Sequence, residues 1–243
     1  MRAILFDFGG TLDFPRHWLD RFVVHYQAAG LKVERAAFER AFTLATQQAY
    51  ARSAKLRNYS LRQLVGLLVE LQFESLGYAT EAHGGRLADA PGQNIGELKM
   101  RIRDSFVAES VVGFASARPL LSALAGNFKI AVVSNFYGNL DRVIADAGFK
   151  SAVSVTADSG LLGFYKPDPR IFAASLSKLG LEPHDAIMVG DSIKKDCAPA
   201  REIGMRTVWL RHVEANGRDA PSALVDFTID SLEELKELRW LAG

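Results

Sequence analysis

Short apolar runs recur along the chain, and those beyond residue 128 are rich in β-branched residues, with Ile130-Ala131-Val132-Val133 and Ala186-Ile187-Met188-Val189 the clearest. Apolar runs of about four to eight residues bounded by turn residues read as strands buried on both faces. This predicts strands at 2–7, 129–134, 152–156, 186–190 and 206–210, with a sixth at 226–229. Amphipathic segments between and after them predict helices at about 139–147, 168–180, 195–203 and 231–241, and Pro169 suits a first helical turn. Such alternation is the pattern of a parallel sheet covered by helices, the doubly wound (Rossmann-like) α/β class.

The first strand and the second are separated by more than one hundred residues that contain no convincing strand. Apolar positions there fall three and four apart, as in Leu61, Leu64, Val65, Leu68 and Leu71, and predict helices at 16–29, 34–50, 60–77 and 94–110. Gly84-Gly85 and Pro91-Gly92 punctuate the last two. A simple βαβ crossover needs far less chain. Residues 14–113 are therefore expected to form a helical domain inserted into an α/β core built from 1–13 and 114–243.

Composition narrows the function classes. With Lys+Arg 29 against Asp+Glu 28 and a net charge of +1, no global field favours nucleic acid or an anionic membrane, so anion selectivity has to be local. Cys197 is the single cysteine, which excludes an internal disulfide and a multi-cysteine zinc site and fits a reducing compartment. No uninterrupted apolar stretch reads as a membrane span, so a cytoplasmic protein is expected.

Candidate chemistry sits where predicted strands end. Ala3-Ile4-Leu5-Phe6 delivers Asp7 into the turn Phe8-Gly9-Gly10-Thr11-Leu12. A carboxylate there can act as a nucleophile, with the glycine amides and the Thr11 hydroxyl facing a phosphoryl group, or it can merely cap the turn. Ser134 and Asn135 close the second strand, where a hydroxyl and an amide can donate to phosphoryl oxygens or stabilise a turn. Lys166, in Lys166-Pro167-Asp168-Pro169, can neutralise charge on a transferring group or simply be solvated. Asp191, in Gly190-Asp191-Ser192, and Asp196 offer oxygen ligands suited to Mg²⁺, or cap a helix.

In order and in local sequence, these four segments resemble the four motifs of the haloacid dehalogenase-like hydrolase superfamily. The resemblance implies a phosphatase acting on a small phosphorylated metabolite, with Asp7 as nucleophile and Lys166 beside it. It implies that Gly10, Thr11, Ser134, Asn135 and Lys166 hold the phosphoryl group. Mg²⁺ would be held by Asp7, the Gly9 carbonyl and Asp191, with support from Asp196, and the insertion after the first motif is similar to the helical C1 cap of that superfamily. One position departs from the pattern: Gly9 stands where most such phosphatases carry a second Asp, which protonates the leaving oxygen and then activates water. Loss of a positioned acid or base typically costs about 10²–10⁴-fold. Three readings follow. In the first, hydrolysis persists with another acid or base, for which Asp13 and His17 lie close in sequence, or with a leaving group that needs no proton. The second is a metal-independent 2-haloacid dehalogenase, against which Asp191 argues. The third is a silent binding or regulatory module.

Overall fold

The computed structural model describes residues 1–78, 94–212 and 223–238, so Gly84-Gly85 and Pro91-Gly92 lie outside the described residues. Strands β1 (Ala3–Phe6), β2 (Lys129–Ser134), β3 (Val153–Asp158), β4 (Ala186–Gly190), β5 (Arg206–Leu210) and β6 (Phe227–Ile229) form one parallel sheet in the order β3-β2-β1-β4-β5-β6. Strand side chains alternate between faces. Ile4 and Phe6 of β1 therefore join one core with Ile130, Val132, Ile187 and Val189, while Ala3 and Leu5 join another with Ala131, Val133 and Met188. Both faces of the central strands are buried, which explains their unbroken apolar sequences. The chain order diverges at β1, with β2 on one side and β4 on the other. In doubly wound sheets, the crevice outside the carboxyl ends at such a point is where ligands bind.

Helices α1 (Trp18–Ala28), α2 (Arg35–Tyr50), α3 (Ser53–Leu56), α4 (Leu61–Ser75) and α5 (Ile95–Leu124) all fall between β1 and β2. Side-chain caps fix the starts of α2, α4 and α5. Glu34 accepts from the amides of Ala36 and Ala37, Ser60 forms a reciprocal box with Gln63, and Asn94 accepts from Gly96 and Glu97. Beyond β2 come α6 (Leu140–Asp146), α7 (Ser159–Leu162), α8 (Arg170–Leu179) and α9 (Ala198–Glu202). Ile171, Phe172, Leu176 and Leu179 of α8 cover the second face of the sheet.

Several elements differ from the sequence expectation. The helix expected at 94–110 continues to Leu124, because its buried stripe of Leu98, Ile102, Phe106, Ser110, Phe114, Ala117, Leu121 and Leu124 keeps helical spacing through residue 113. By length and composition alone α5 could cross a membrane, which was not anticipated, but its inner stripe packs against α1 and α4. Strand β3 begins one residue later and ends two later than expected, next to a register shift opposite Ile130 and Ala131. The segment expected as a helix at 195–203 is a π-helical turn at Ile193–Cys197 followed by α9, with Pro199 in the first turn of α9. The described part of the last expected helix is a 3₁₀ segment, Leu232–Glu237, in which only Leu235 is buried. Its remainder, 239–241, lies outside the described residues.

A buried polar pin joins the turn after β1 to the helices. Both oxygens of Asp13, which is fully buried, are engaged: Oδ1 accepts from the Gly10 amide at 2.8 Å, and Oδ2 from Trp18 Nε1 at 2.6 Å and Arg21 Nη1 at 2.5 Å. Arg21, equally buried, also donates to Glu109, to the Phe106 carbonyl and to Ser110 Oγ, and its guanidinium lies 3.8 Å over the Phe106 ring. α5 crosses this segment at Gly113, where an added Cβ would stand 1.7 Å from the Asp13 carbonyl oxygen.

Two stability predictions follow from this crossing. Ala is favoured over Gly inside a helix by about 1 kcal/mol. Here the backbone clash dominates, so Gly113→Ala is expected to lower stability by about 3 kcal/mol or more in urea unfolding; an unchanged or raised midpoint refutes the close crossing. Asp13→Asn, which leaves Arg21 short of a charge partner, is expected to cost on the order of 3 kcal/mol in the same assay. A loss below about 0.5 kcal/mol, ordinary for a surface site, would show that the pin does not hold the fold together.

Candidate active site

Strand register brings the candidate residues together. Phe6 lies opposite Val132 of β2 and Val189 of β4, and the Asp7 amide extends the ladder to the Val189 carbonyl at 2.9 Å. Asp7, Ser134 and Asp191 therefore leave three adjacent strands at one edge. Lys166 reaches in from the loop before α8, its Nζ 2.6 Å from Asp7 Oδ1 and 2.6 Å from Asp196 Oδ1. Carboxylate oxygens of Asp7, Asp191 and Asp196 lie within 4.8 Å of one another.

One buried ammonium thus faces three carboxylates. Burial alone would lower the Lys166 pKa, but the charges of Asp196 and Asp7 outweigh it and the pKa is raised, keeping the side chain cationic. Asp196 is pushed up to about 6 by burial and by Asp7, against the opposing pull of Lys166. Asp191 is raised well above the usual carboxylate range by burial and by the charges of Asp7 and Asp196. Negative charge in the cluster is only partly offset, which is the electrostatic condition for taking up a cation.

Neighbouring groups fix these side chains. The Asn135 side chain donates to the Lys166 carbonyl at 2.9 Å and accepts from the Lys166 amide at 2.7 Å, which sets the lysine's direction. Trp209 Nε1 donates to the Asp191 carbonyl at 2.9 Å, and the Ser192 amide donates to Asp196 Oδ2 at 3.0 Å. His212 Nε2 lies 2.8 Å from the Gly10 carbonyl, which can only accept. Gly10 has φ +90, and a Cβ there would stand 2.5 Å from Asp191 Oδ2, so the turn needs glycine for both dihedral and space.

The residues singled out in the sequence are not all placed as expected. Asp7, Gly9, Ser134, Asn135, Lys166, Asp191 and Asp196 line a cavity of about 480 Å³. The Gly10 amide, however, is taken by Asp13, and the Thr11 amide by the Phe8 carbonyl at 3.2 Å. Thr11 lines a smaller cavity of about 150 Å³ with Leu12, Phe14 and Pro15, and its buried hydroxyl has no partner. The turn closes into a helix-like bend in which Thr11, Leu12 and Asp13 all donate to Phe8, so these amides point inward rather than to a ligand. The Asn135 amide is likewise spent on backbone. Asp13 is locked in its pin away from the cavity. His17 does line it: its Nδ1 accepts from the Leu19 amide at 3.2 Å, and burial, then Lys195, lower its pKa and favour neutral imidazole near pH 7.

Sequence reasoning missed most of the cavity's other wall: Phe42, Thr46, Tyr50, Phe136, Tyr137, Tyr165 and Lys195, joined by Trp18. A signal was present. Phe42, Thr46 and Tyr50 are spaced by four on α2 and so share one face, while Phe136-Tyr137 and Tyr165 directly flank Asn135 and Lys166. Elsewhere in the insertion, Arg21 is consumed in the pin, and the Tyr59 carbonyl accepts from the Asn139 side chain.

Comparison with known proteins accords with this geometry. Residues 1–204 match the family model described as haloacid dehalogenase-like hydrolase. Haloacid dehalogenase-like hydrolase domain-containing protein 3 of Bos taurus is 30% identical over 211 residues, covering 85% of this chain and 80% of that protein. The phosphoserine phosphatase of Thermus thermophilus is 36% identical over 108 residues, 44% of this chain and 42% of that enzyme. Among solved structures, a dehalogenase with an intermediate complex superposes with TM-score 0.62 at 19% identity, covering 98% of this chain and 96% of that one. A HAD phosphatase from Thermococcus onnurineus gives 0.55 at 19%, covering 100% and 98%. These two likenesses concern the fold. With the family match spanning most of its length and the acidic cluster and lysine at the carboxyl edge of its sheet, the chain belongs to the haloacid dehalogenase-like hydrolases.

Proposed function

We propose that this hydrolase is a Mg²⁺-dependent phosphatase acting on a small phosphorylated metabolite through an aspartyl-phosphate at Asp7. The observation that carries the reading is the position of Lys166 Nζ, 2.6 Å from both Asp7 and Asp196 beside a cavity of about 480 Å³. A cation there orients the Asp7 carboxylate and offsets charge on a transferring phosphoryl group. Relatives named phosphoserine phosphatase and pyrimidine 5'-nucleotidase YjjG support a phosphate ester as substrate, and their different substrates leave its organic part to this chain's own cavity. Residues 14–113 form the cap in this reading, over a core of 1–13 and 114–243. The cap supplies His17, Trp18, Phe42 and Tyr50 to the cavity.

The donor set fits magnesium: the oxygens of Asp7, Asp191 and Asp196 are mutually within 4.8 Å, all are hard ligands, and burial leaves their repulsion poorly screened. Asp7, the Gly9 carbonyl and Asp191 would hold the ion, with Asp196 beside them, and bound Mg²⁺ supplies positive charge against phosphoryl oxygens. The chain's own groups do the rest. Asp7 attacks phosphorus; Lys166 holds Asp7 in line; Ser134 borders the phosphoryl pocket; the aromatic wall excludes water while the ester is intact.

Phosphate release from a panel of monoesters and acetyl phosphate tests this. Turnover is expected only with Mg²⁺ and is expected to fall by about 10³-fold or more in Asp7→Asn. Chloride release from 2-chloropropionate without metal would overturn it in favour of dehalogenation. Separately, Mg²⁺ at about 100 times its Kd is expected to add roughly 2.7 kcal/mol of stability in thermal unfolding. That gain is expected to vanish in Asp191→Asn, whose metal-free form should be at least as stable as the metal-free wild type because one repelling carboxylate is gone. A gain that survives the substitution places the metal elsewhere.

A further inference from the structure

The cavity wall facing away from the carboxylates is a continuous run of rings. Trp18 begins it: a Cβ built on Gly9 would meet Trp18 Nε1 at 3.2 Å and Cδ1 at 3.4 Å, so an indole edge occupies the space a longer side chain at position 9 would enter. Trp18 stacks toward Tyr137 at 6.3 Å and 30°, Tyr137 on Tyr50 at 4.9 Å and 25°, and Tyr50 meets Tyr165 edge-on at 4.8 Å and 64°. Tyr137 is 4% exposed and Tyr165 38%, so the arc runs from a buried end beside the nucleophile turn to an open rim. Among the described residues, the charged groups of the lining are those of the carboxylate–lysine cluster with Lys195, and the arc itself carries none.

Among the described residues, the same end of the cavity offers the leaving oxygen no carboxyl group outside the Lys166 cluster, and His17, its pKa lowered by burial and then by Lys195, is held there as neutral imidazole. Among the described lining residues the carboxyl groups are Asp7, Asp191 and Asp196, all drawn into the Lys166 cluster, and Asp13 is pinned elsewhere with both oxygens engaged. A leaving group that departs unassisted has to be weakly basic. Phenolic oxygens titrate near about 10, against about 15.7 for water-like hydroxyls, so an aryl oxide is the better leaving group by more than five units.

Building on the phosphatase reading, the geometry points to aryl phosphates as the substrate class, the ring bonded directly to the bridging oxygen and lying along the Trp18–Tyr137–Tyr50–Tyr165 arc. Asp7 attacks phosphorus as the phosphorus–oxygen bond to the ring breaks. The aryl oxide leaves with the bonding pair and takes a proton from solvent. Water then attacks the aspartyl-phosphate, returning the Asp7 carboxylate and inorganic phosphate, for a net consumption of one water per ester. Offset and edge-on contacts with the arc supply ring recognition without any charged partner.

Phenyl phosphate and benzyl phosphate carry the same ring and differ in whether the leaving oxygen is phenolic, so their kcat/KM ratio reads the chemistry. With Mg²⁺ the wild type is expected to favour phenyl phosphate at least 100-fold, and Gly9→Asp to narrow that ratio at least tenfold. Equal turnover of phenyl, benzyl and glycerol phosphates overturns the proposal. Ring recognition is read independently of turnover by calorimetric titration with phenylphosphonate and ethylphosphonate. Phenylphosphonate is expected to bind at least tenfold tighter, with that preference shrinking at least threefold in Tyr165→Ala; equal binding overturns the ring site. Acetyl phosphate separates the two levels of inference. Metal-dependent release from it that is lost in Asp7→Asn upholds the phosphatase whatever the ring experiments show, and no release from any ester or from acetyl phosphate overturns both.

Discussion

Three carboxylates held within 4.8 Å of one another around a single buried ammonium are the constraint on which this molecule turns. Left to itself, such a cluster repels: burial strengthens each interaction and removes the water that would screen it. Lys166 offsets part of that repulsion by bridging Asp7 and Asp196. Burial first, and then the repulsion that remains, raises the pKa of Asp191 and Asp196 above that of ordinary carboxyl groups. A fold tolerates this arrangement only where the backbone over-determines it. Here β1 and β4 supply Asp7 and Asp191 from adjacent paired strands, Asn135 grips both backbone groups of Lys166, and Trp209 ties down the Asp191 carbonyl.

A second constraint fixes how the helical insertion meets the sheet. Asp13 gathers the Gly10 amide, the Trp18 indole and the Arg21 guanidinium, and Gly113 lets α5 pass against the Asp13 backbone. The chain thus leaves the turn after β1 and returns toward β2 at one crossing. Because Trp18 belongs both to this pin and to the cavity wall, the group that anchors the insertion also shapes the space next to Asp7. Rigidity at that point is a requirement, since small misplacements near a reacting atom are costly in rate.

Much of this was legible in the sequence, for local reasons. Strands buried on both faces read as apolar runs, and a parallel sheet puts the residue after each run at the same edge. Asp7, Ser134 and Asp191 were therefore recognisable from neighbours within a few positions. What escaped depended on distant contacts or on backbone direction. The Gly10 and Thr11 amides looked available for a ligand, yet the turn folds them onto Asp13 and Phe8. Asn135 looked like a phosphoryl donor, and it serves the Lys166 backbone 31 residues away instead. The helix expected to end at 110 runs on through Gly113, whose missing side chain permits the crossing over Asp13. The aromatic wall brings together α1, α2, the loop after β2 and the residue before Lys166, four places whose proximity only the fold creates.

Glycine at position 9 bears on two things that are easily treated as separate. In the phosphatase reading it leaves no carboxyl group at this position to carry a proton to the leaving oxygen; sterically it leaves room for an indole edge beside the turn. A new carboxyl group at this position would have to displace that edge, and Trp18 is held by Asp13 and packed against Phe106 and Phe136. Restoring the acid would therefore disturb the aromatic wall, and dismantling the wall would disturb the pin that supports the insertion. Leaving-group chemistry and shape selection are coupled through one side chain, so a change in either is felt in the other.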